Sequence, residues 1–307
     1  MRIINVSLDQ LKTQRTPVVA CIGYFDGMHK GHQALVKATI EKAKEYNCES
    51  GLITFDPDPW VTIKGMKDVK HITPIQQRIN LAVEFGIRNI FILNFTKEMA
   101  AISPEDFVHK VLHSCNIKCL ICGFDYHYGQ FGKGDIESLK KDADFEVDVV
   151  EAVNDEEGKI SSTRITQLIE DGDVHKAEEL LGYAYRVEGY VRHGSAKGRT
   201  IGYPTANVKI SSEYLEPKTG VYAAYVLVDG KKYKAMVNVG HNPTFNYSNE
   251  LSIEAHILDF SGDLYGHRLK ISFKYYIRPE RKFQYVGNLK MQLEQDEFAV
   301  RTLLREG

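Results

Sequence analysis

Four apolar runs separated by helical patterns constrain the first half of the chain. The runs are VVACIG (18–23), GLITF (51–55), NIFILNF (89–95) and CLICGF (119–124). They are too continuously apolar to leave one face in water, so each needs cover on both sides. Helical stretches over about 32–46, 75–85 and 104–113 lie between them and can supply that cover. Strands buried on both faces and joined by helices predict a parallel α/β sheet. The last helix opens with SPEDF, where Ser103 can cap, Pro104 suits the first helical position and Asp106 sits at the third. FEVDVVEAV (145–153) reads as one more strand.

The pattern then changes. SSTRITQLIEDGDVHKAEELLG (161–182) reads as one or two short helices, interrupted at Gly172 and closed at Gly182. Beyond it come strand patterns: YRVEGYV (185–191), GVYAAYVLV (220–228), KKYKAMVNV (231–239), LSIEAHIL (251–258) and HRLKISFKYYI (267–277). Asp229-Gly230 suits a two-residue hairpin turn. Many short strands rich in tyrosine predict a small antiparallel barrel. A helix over about 285–303 follows. The chain of 307 residues is long enough for two domains, with an expected boundary that gives 1–182 and 183–307.

Composition narrows the partners. Lys and Arg total 39 against 41 Asp and Glu, a net charge of −2, which does not favour a general nucleic-acid or membrane surface. No apolar run approaches the length of a membrane span, and MRIINVSLDQ lacks a secretory apolar region, so a cytoplasmic location is expected. Cys119 and Cys122 lie three apart in a strand pattern and therefore on opposite faces. They read as structural, redox-silent thiols rather than zinc ligands.

Two segments carry candidate chemistry. The first is GYFDGMHKGHQ (23–33), placed where a strand gives way to a helix. Gly23, Gly27 and Gly31 permit a close turn, and the free amides of a helix starting near Gly31 could face an anion. His29 and His32 can bring both rings to one side. No cysteine or carboxylate ligand set accompanies them, so a phosphate site fits better than zinc; ordinary turn histidines are the alternative. The second is YVRHGSAKGRTIGYPTANV (190–208). Gly194 and Gly198 could let a loop close around phosphates, and Lys197 and Arg199 supply positive charge. Thr205 and Asn207 offer hard oxygen donors suited to magnesium. The alternative is a barrel-edge turn without a ligand.

In order, GYFDGMHKGHQ, TFDPDP (54–59), CGFDYHYG (122–129) and ISSTRI (160–165) resemble the amino-terminal half of the bacterial bifunctional riboflavin kinase/FAD synthetase family. GRTIGYPTAN (198–207), KTGVYA (218–223), NVGHNPTF (238–245), IEAHILDF (253–260), DLYG (263–266) and RPERKF (278–283) resemble its riboflavin kinase half. The resemblance implies an α/β nucleotidyltransferase domain with a parallel Rossmann-like sheet. It implies a six-stranded antiparallel riboflavin kinase β-barrel with a C-terminal helix after it. The implied substrates and products are ATP, riboflavin, FMN and FAD, with Mg2+ as cofactor and no obligate protein partner.

By this resemblance His29 and His32 contact the ATP phosphates while FMN is adenylylated. Gly23, Phe25, Asp26, Gly31, Ser162 and Thr163 shape the nucleotide site, and Asp125 lies near the flavin substrate. In the kinase half Glu254 is the implied general base, Thr205 and Asn207 hold magnesium, and Arg278 helps cover the flavin. Glu254 alternates with Ile253 and Ala255, so a solvent-facing strand position is its plainer reading. Two positions depart from the family pattern. Asp58 stands where histidine is frequent, and Thr166 where an arginine expected to touch the triphosphate is common. Arg164 is two places away and does not share its helical face. These departures sustain an alternative, a monofunctional kinase with a weakened adenylyltransferase domain. A flavin-responsive binding or RNA-regulatory protein is a further alternative, with little basic, aromatic-rich surface to support it.

Overall fold

The apolar runs form the centre of a six-stranded parallel sheet. The computed structural model describes residues 1–194, 197–243 and 249–305, and its contacts divide the chain into two compact units, Met1–Ser162 and Thr163–Gly307. In the first unit the strands are β1 (Arg2–Val6), β2 (Val18–Ile22), β3 (Glu49–Asp56), β4 (Asn89–Asn94), β5 (Ile117–Gly123) and β6 (Glu146–Val150), in the order β1-β4-β3-β2-β5-β6. Every pairing is parallel. All five residues of β2 are buried, as a central strand covered on both faces must be.

Helices α1 (Lys30–Glu45), α2 (Pro59–Lys64), α3 (Ile75–Glu84), α4 (Lys97–Ala100), α5 (Pro104–Asp106) and α6 (Ile136–Asp142) connect the strands. Helix α1 turns Val36, Thr39 and Ala43 inward. Helix α5 starts at the expected cap, the Ser103 hydroxyl accepting from Asp106 N at 3.1 Å, and runs into a π-helical turn over Phe107–Leu112. That turn contributes Phe107, Val108, Val111 and Leu112 to a core shared with Ile22, Ile53, Phe91 and Leu120. Strand β1, at the sheet edge, is absent from the sequence-based expectation. It is short and largely exposed, and its pairing with β4 defines it.

Cys21, Cys115, Cys119 and Cys122 are all buried and free. Burial pushes Cys21 and Cys115 up to about 12 and Cys119 and Cys122 up to about 11, so the thiols stay protonated at neutral pH. The Cys119 sulfur lies close to the Glu146 and Asp148 carboxylates. Lys42 answers both acids, at 2.8 and 3.2 Å, so this group is a salt-bridged cluster.

From Thr163 on, α7 (Ser162–Asp171) opens the second unit, and α8 (Val174–Leu181) follows, ending at Gly182 in the left-handed region. A small hairpin of β7 (Asn154–Asp155) and β8 (Gly158–Lys159) precedes them in the first unit. The contact boundary thus lies at the first residue of α7, whereas the change of sequence pattern falls near 183. Packing explains the difference. His175 meets Tyr275 with ring centroids 4.7 Å apart, and Glu178 pairs with Lys274 at 2.5 Å.

The barrel comprises β9 (Arg186–Arg192), β10 (Ala206–Ile210), β11 (Gly220–Val228), β12 (Lys231–Pro243), β13 (Asn249–Ile257) and β14 (Arg268–Arg278), closed in the order β10-β13-β12-β11-β14-β9. Asp229 and Gly230 turn β11 into β12 with φ of 47° and 81°, the two positive values a type I′ turn requires. Strand β10 begins within the segment read from sequence as a ligand loop and runs two residues past it. It pairs with β9 and β13 and so completes the ring. After β9 comes a helical turn, α9 (Lys197–Thr200).

Helix α10 (Val286–Leu303) leads to Leu304, and Val300 and Leu304 pack with Tyr203, Val221, Ala223, Met236 and Leu258. A charge pair also fastens it. Arg278 Nε donates to Asp296 Oδ1 at 2.9 Å and Nη2 to Oδ2 at 2.7 Å, with Asp296 almost wholly buried. Removing one member of such a pair strands the other. We expect Asp296→Ala to destabilise the barrel unit by roughly 3 kcal/mol, and Arg278→Met with Asp296→Leu to recover much of that loss. Urea denaturation followed by circular dichroism checks both; an Asp296→Ala transition at the unaltered midpoint would contradict the clamp.

Candidate functional site

In the first unit, β2 lies between β3 and β5, from which the strand order proceeds in opposite directions. This is the switch point of an open parallel sheet, where a crevice forms at the carboxyl ends of the strands. The segment from Gly23 to His29 occupies that end of β2. Its backbone is unusual: φ is 60° at Phe25, 80° at Gly27 and 39° at Met28. Such angles cost energy in non-glycine residues and persist only where surrounding bonds impose them.

Asp26 imposes them. Its carboxylate accepts from Ile72 N at 3.2 Å, Thr73 N at 2.8 Å and the Thr73 hydroxyl at 3.0 Å. Gly27 N donates to that same hydroxyl at 2.7 Å, and Ser162 Oγ donates to the Asp26 carbonyl at 2.8 Å. The Phe25 ring is buried beneath Gly23. Asp26 and Phe25 therefore act by holding the turn from behind.

The turn delivers two histidines to the start of α1. His29 caps the helix, its Nδ1 accepting from His32 N at 3.3 Å, which leaves Nε2 as the protonated nitrogen of the neutral ring. The two rings stack with centroids 3.7 Å apart, and Phe25 meets His32 edge-on at 5.2 Å. A side chain on Gly31 would crowd the His29 ring, with a Cβ only 3.0 Å from its Cε1. Burial, then the Lys159 charge, lowers His29 to about 4. Burial holds His32 well below its ordinary value, helped by His29, Arg78 and Lys159. Both rings are neutral at pH 7 and can donate hydrogen bonds without carrying charge. His32 Nδ1 is buried and has no hydrogen-bond partner within the protein.

Asp58 occupies the position where the sequence departs from the family pattern. It caps α2 by accepting from Trp60 N at 2.6 Å and accepts from the Tyr24 hydroxyl, also at 2.6 Å. His71 Nδ1 lies 3.2 Å from that hydroxyl. Arg78, buried and unseen as a site residue in the sequence, lays its guanidinium 4.3 Å from the Tyr24 ring centre. It donates to Thr54 Oγ1 and to the Thr73 carbonyl, each at 3.3 Å. Asp58 is thus joined through Tyr24 to a buried cation. Asp125 is exposed beyond the end of β5 and is ion-paired with Lys159. Thr163, Arg164 and Thr166 lie on α7 in the second unit.

In the barrel, Thr205 immediately precedes β10 and Asn207 is the second residue of that strand. Asn207 is paired with Glu254 on β13, and Glu254 with Asn238 on β12. Three polar side chains therefore stand in one row across three strands, so Glu254 has polar neighbours on both sides. Burial, then the Glu280 charge, raises its carboxyl. Asn238 Nδ2 donates to Glu280 at 3.0 Å. Gly194 lies so close to the Asn207 carboxamide that any side chain there would collide with it. Gly198 accepts from Tyr203 N at 2.9 Å, closing the turn before Thr205, and Arg199 is exposed.

The Lys197 side chain and the end of NVGHNPTF lie outside the described residues. His256 Nδ1 is 2.8 Å from the Pro204 carbonyl, and a cleft of about 310 Å³ opens beside both, lined also by Leu258, Phe260 and Arg301. Arg278 is committed to Asp296 and to the Pro279 carbonyl, at 2.9 Å, rather than extended beside the other site residues. The oxygen donors of Thr205 and Asn207 suit a magnesium ion.

A strained turn at a parallel-sheet switch point, followed by a polar row in a small barrel, defines a two-domain nucleotide-handling protein. Family comparisons agree: a profile of FAD synthetases matches residues 11–164 and one of riboflavin kinases matches residues 181–304. The chain is 40% identical to the bifunctional riboflavin kinase/FMN adenylyltransferase of Listeria monocytogenes, over 91% of this chain and 90% of that protein. It is 36% identical to the Bacillus subtilis protein of the same description, over 94% and 92%. This chain belongs to the bifunctional riboflavin kinase/FMN adenylyltransferase family.

A crystal structure from Streptococcus pneumoniae, described as a macrolide-efflux protein, superposes with a TM-score of 0.90 at 36% identity, covering 97% of this chain and 99% of that one. No helix among the described residues here is long and apolar enough to cross a membrane.

If Asp26 imposes the turn, Asp26→Ala frees Gly27, Ile72 and Thr73 from their shared acceptor network. We expect their amide hydrogen exchange to rise at least tenfold, equivalent to about 1.4 kcal/mol, while barrel amides are unchanged. Unchanged exchange at Gly27 and Thr73 would contradict this role.

Proposed function

We propose that the two units perform two successive transfers, the barrel making FMN and the parallel-sheet unit making FAD. The enzyme is bifunctional, with ATP, riboflavin, FMN and FAD as its substrates and products. One observation carries the assignment of both activities to this chain: the family match spans both units, and each retains a polar constellation suited to its half of the chemistry.

In the kinase step, the riboflavin 5′-hydroxyl attacks the γ-phosphorus of ATP and ADP departs. Glu254 accepts the hydroxyl proton, its raised carboxyl making it a stronger base than an exposed glutamate. Asn207 and Asn238 are its cross-strand neighbours on either side. The cleft by Pro204 and His256 is the candidate site for the nucleoside of ATP. In the second step, an FMN phosphate oxygen attacks the α-phosphorus of ATP and pyrophosphate departs. His29 and His32 donate hydrogen bonds to the phosphates beside the amino terminus of α1. Asp125 borders the flavin.

Magnesium, held in the barrel by Thr205 and Asn207, would reduce repulsion between the reacting anions. We assign the adenylyltransferase role to 1–182 and the kinase role to 183–307, and infer that the enzyme works in the cytoplasm without a nucleic-acid, membrane or obligate protein partner. The second reading, a kinase with weakened adenylyl transfer, rests on Thr166 and Asp58.

Riboflavin, ATP and magnesium given to the purified protein should yield FMN and then FAD by timed chromatography. FMN without FAD, even with FMN supplied, would select the second reading; no FMN would overturn the first. Glu254→Gln should lower FMN formation by about 10²-fold or more while FMN is still converted to FAD. His32→Ala should do the reverse.

The kinase rate should fall as pH drops through the raised Glu254 pKa. Glu280→Gln removes the like charge, lowers that pKa and should shift the acid limb to lower pH. A pH–rate profile with an unmoved limb would contradict the coupling.

A further inference from the structure

We propose that Lys159 is the mobile cation that receives the ATP phosphates in the first unit, exchanging Asp125 for the ligand when ATP binds. This rests on the adenylyl-transfer reading above. A triphosphate brings several negative charges, whereas His29 and His32 are both neutral at pH 7 and offer donors without charge. Two cations bear electrostatically on these rings, Arg78 and Lys159. Arg78 has its face on Tyr24 and its Nη1 and Nη2 on Thr54 and Thr73. It is 2% exposed and braces the turn from within.

Lys159 differs in every respect. It ends β8, on a hairpin whose continuation runs beside the histidine turn: the Ile160 carbonyl lies 3.8 Å from where a Cβ on Gly31 would be, and Ser162 bonds the Asp26 carbonyl. Its ammonium is half exposed, paired with Asp125 and 4.7 Å from the Phe124 ring centre. An exposed ion pair of this kind contributes little stability, so its partner can be exchanged at small cost. A phosphate oxygen between the neutral imidazoles and the start of α1 offers Lys159 a more highly charged partner than Asp125. The buried His32 Nδ1 has no hydrogen-bond partner within the protein.

The role is one of binding and charge neutralisation, and the lysine keeps its proton throughout. The test uses the full chain with FMN and ATP, reading FAD formation, and with riboflavin and ATP, reading FMN formation. Lys159→Met should lower kcat/KM for ATP in FAD formation about tenfold to a hundredfold, the range of one charge-assisted contact. Most of the change should fall on KM, with FMN formation unaltered. Lys159→Arg should restore most of the loss.

Amide exchange at Gly27 and Thr73 in Lys159→Met should equal that of the unaltered protein, separating loss of charge from loss of the turn. A Lys159→Met enzyme within twofold of the unaltered one in kcat/KM for ATP would overturn this inference while leaving the adenylyl-transfer reading intact. An unaltered protein that forms no FAD from FMN would overturn that reading and the inference with it. Altered exchange at Gly27 and Thr73 would also overturn it, since Lys159 would then be a prop of the turn.

Discussion

One carboxylate sets the geometry of the first unit. Asp26 gathers two backbone amides and a hydroxyl from the segment before α3, and its own carbonyl takes a hydroxyl from the start of α7. These bonds hold Phe25, Gly27 and Met28 in the left-handed region. Without that bend, β2 could not hand its chain to α1 with His29 at the cap position and His32 stacked against it. A half-buried anion tied to amides is costly to disturb, so it can store backbone strain at a place where ligands must approach closely.

The barrel solves the same problem by other means. Asn207, Glu254 and Asn238 are aligned because three strands are in register, and register in a closed sheet cannot slip without moving every side chain to the other face. The two units thus contrast a site hung from a strained turn with a site read across a ladder. The first concentrates its support in a few side chains, and the second spreads it over many backbone bonds.

Much of this was legible in the sequence. VVACIG and CLICGF could only be interior strands, because runs apolar on both faces have no exposed solution in a sheet. The Asp229-Gly230 turn was legible because few other residue pairs accept two positive φ values. His29 and His32 were legible as a pair. Their neutrality was not, since it comes from burial and from cations distant in sequence. β1 and β10 were not legible because each buries only one of its five residues and so carries little apolar pattern, and neighbouring strands define both.

Arg278 and Asp26 show the limit of motif reading. A motif names the residue type at a position, whereas the partner that commits the side chain, Asp296 for one and the 72–73 amides for the other, is found only in three dimensions.

The parallel sheet, unlike the barrel, has two free edges. At one, β6 presents Glu146 and Asp148, held by Lys42 from α1; at the other, β1 carries Arg2, ion-paired with Glu49 and bonded to Asn89 at 2.9 Å. A second chain adding a strand at either edge would have to desolvate fixed charges. The edge ion pairs therefore act against strand-mediated self-association, and they should matter most where the folded chain is concentrated.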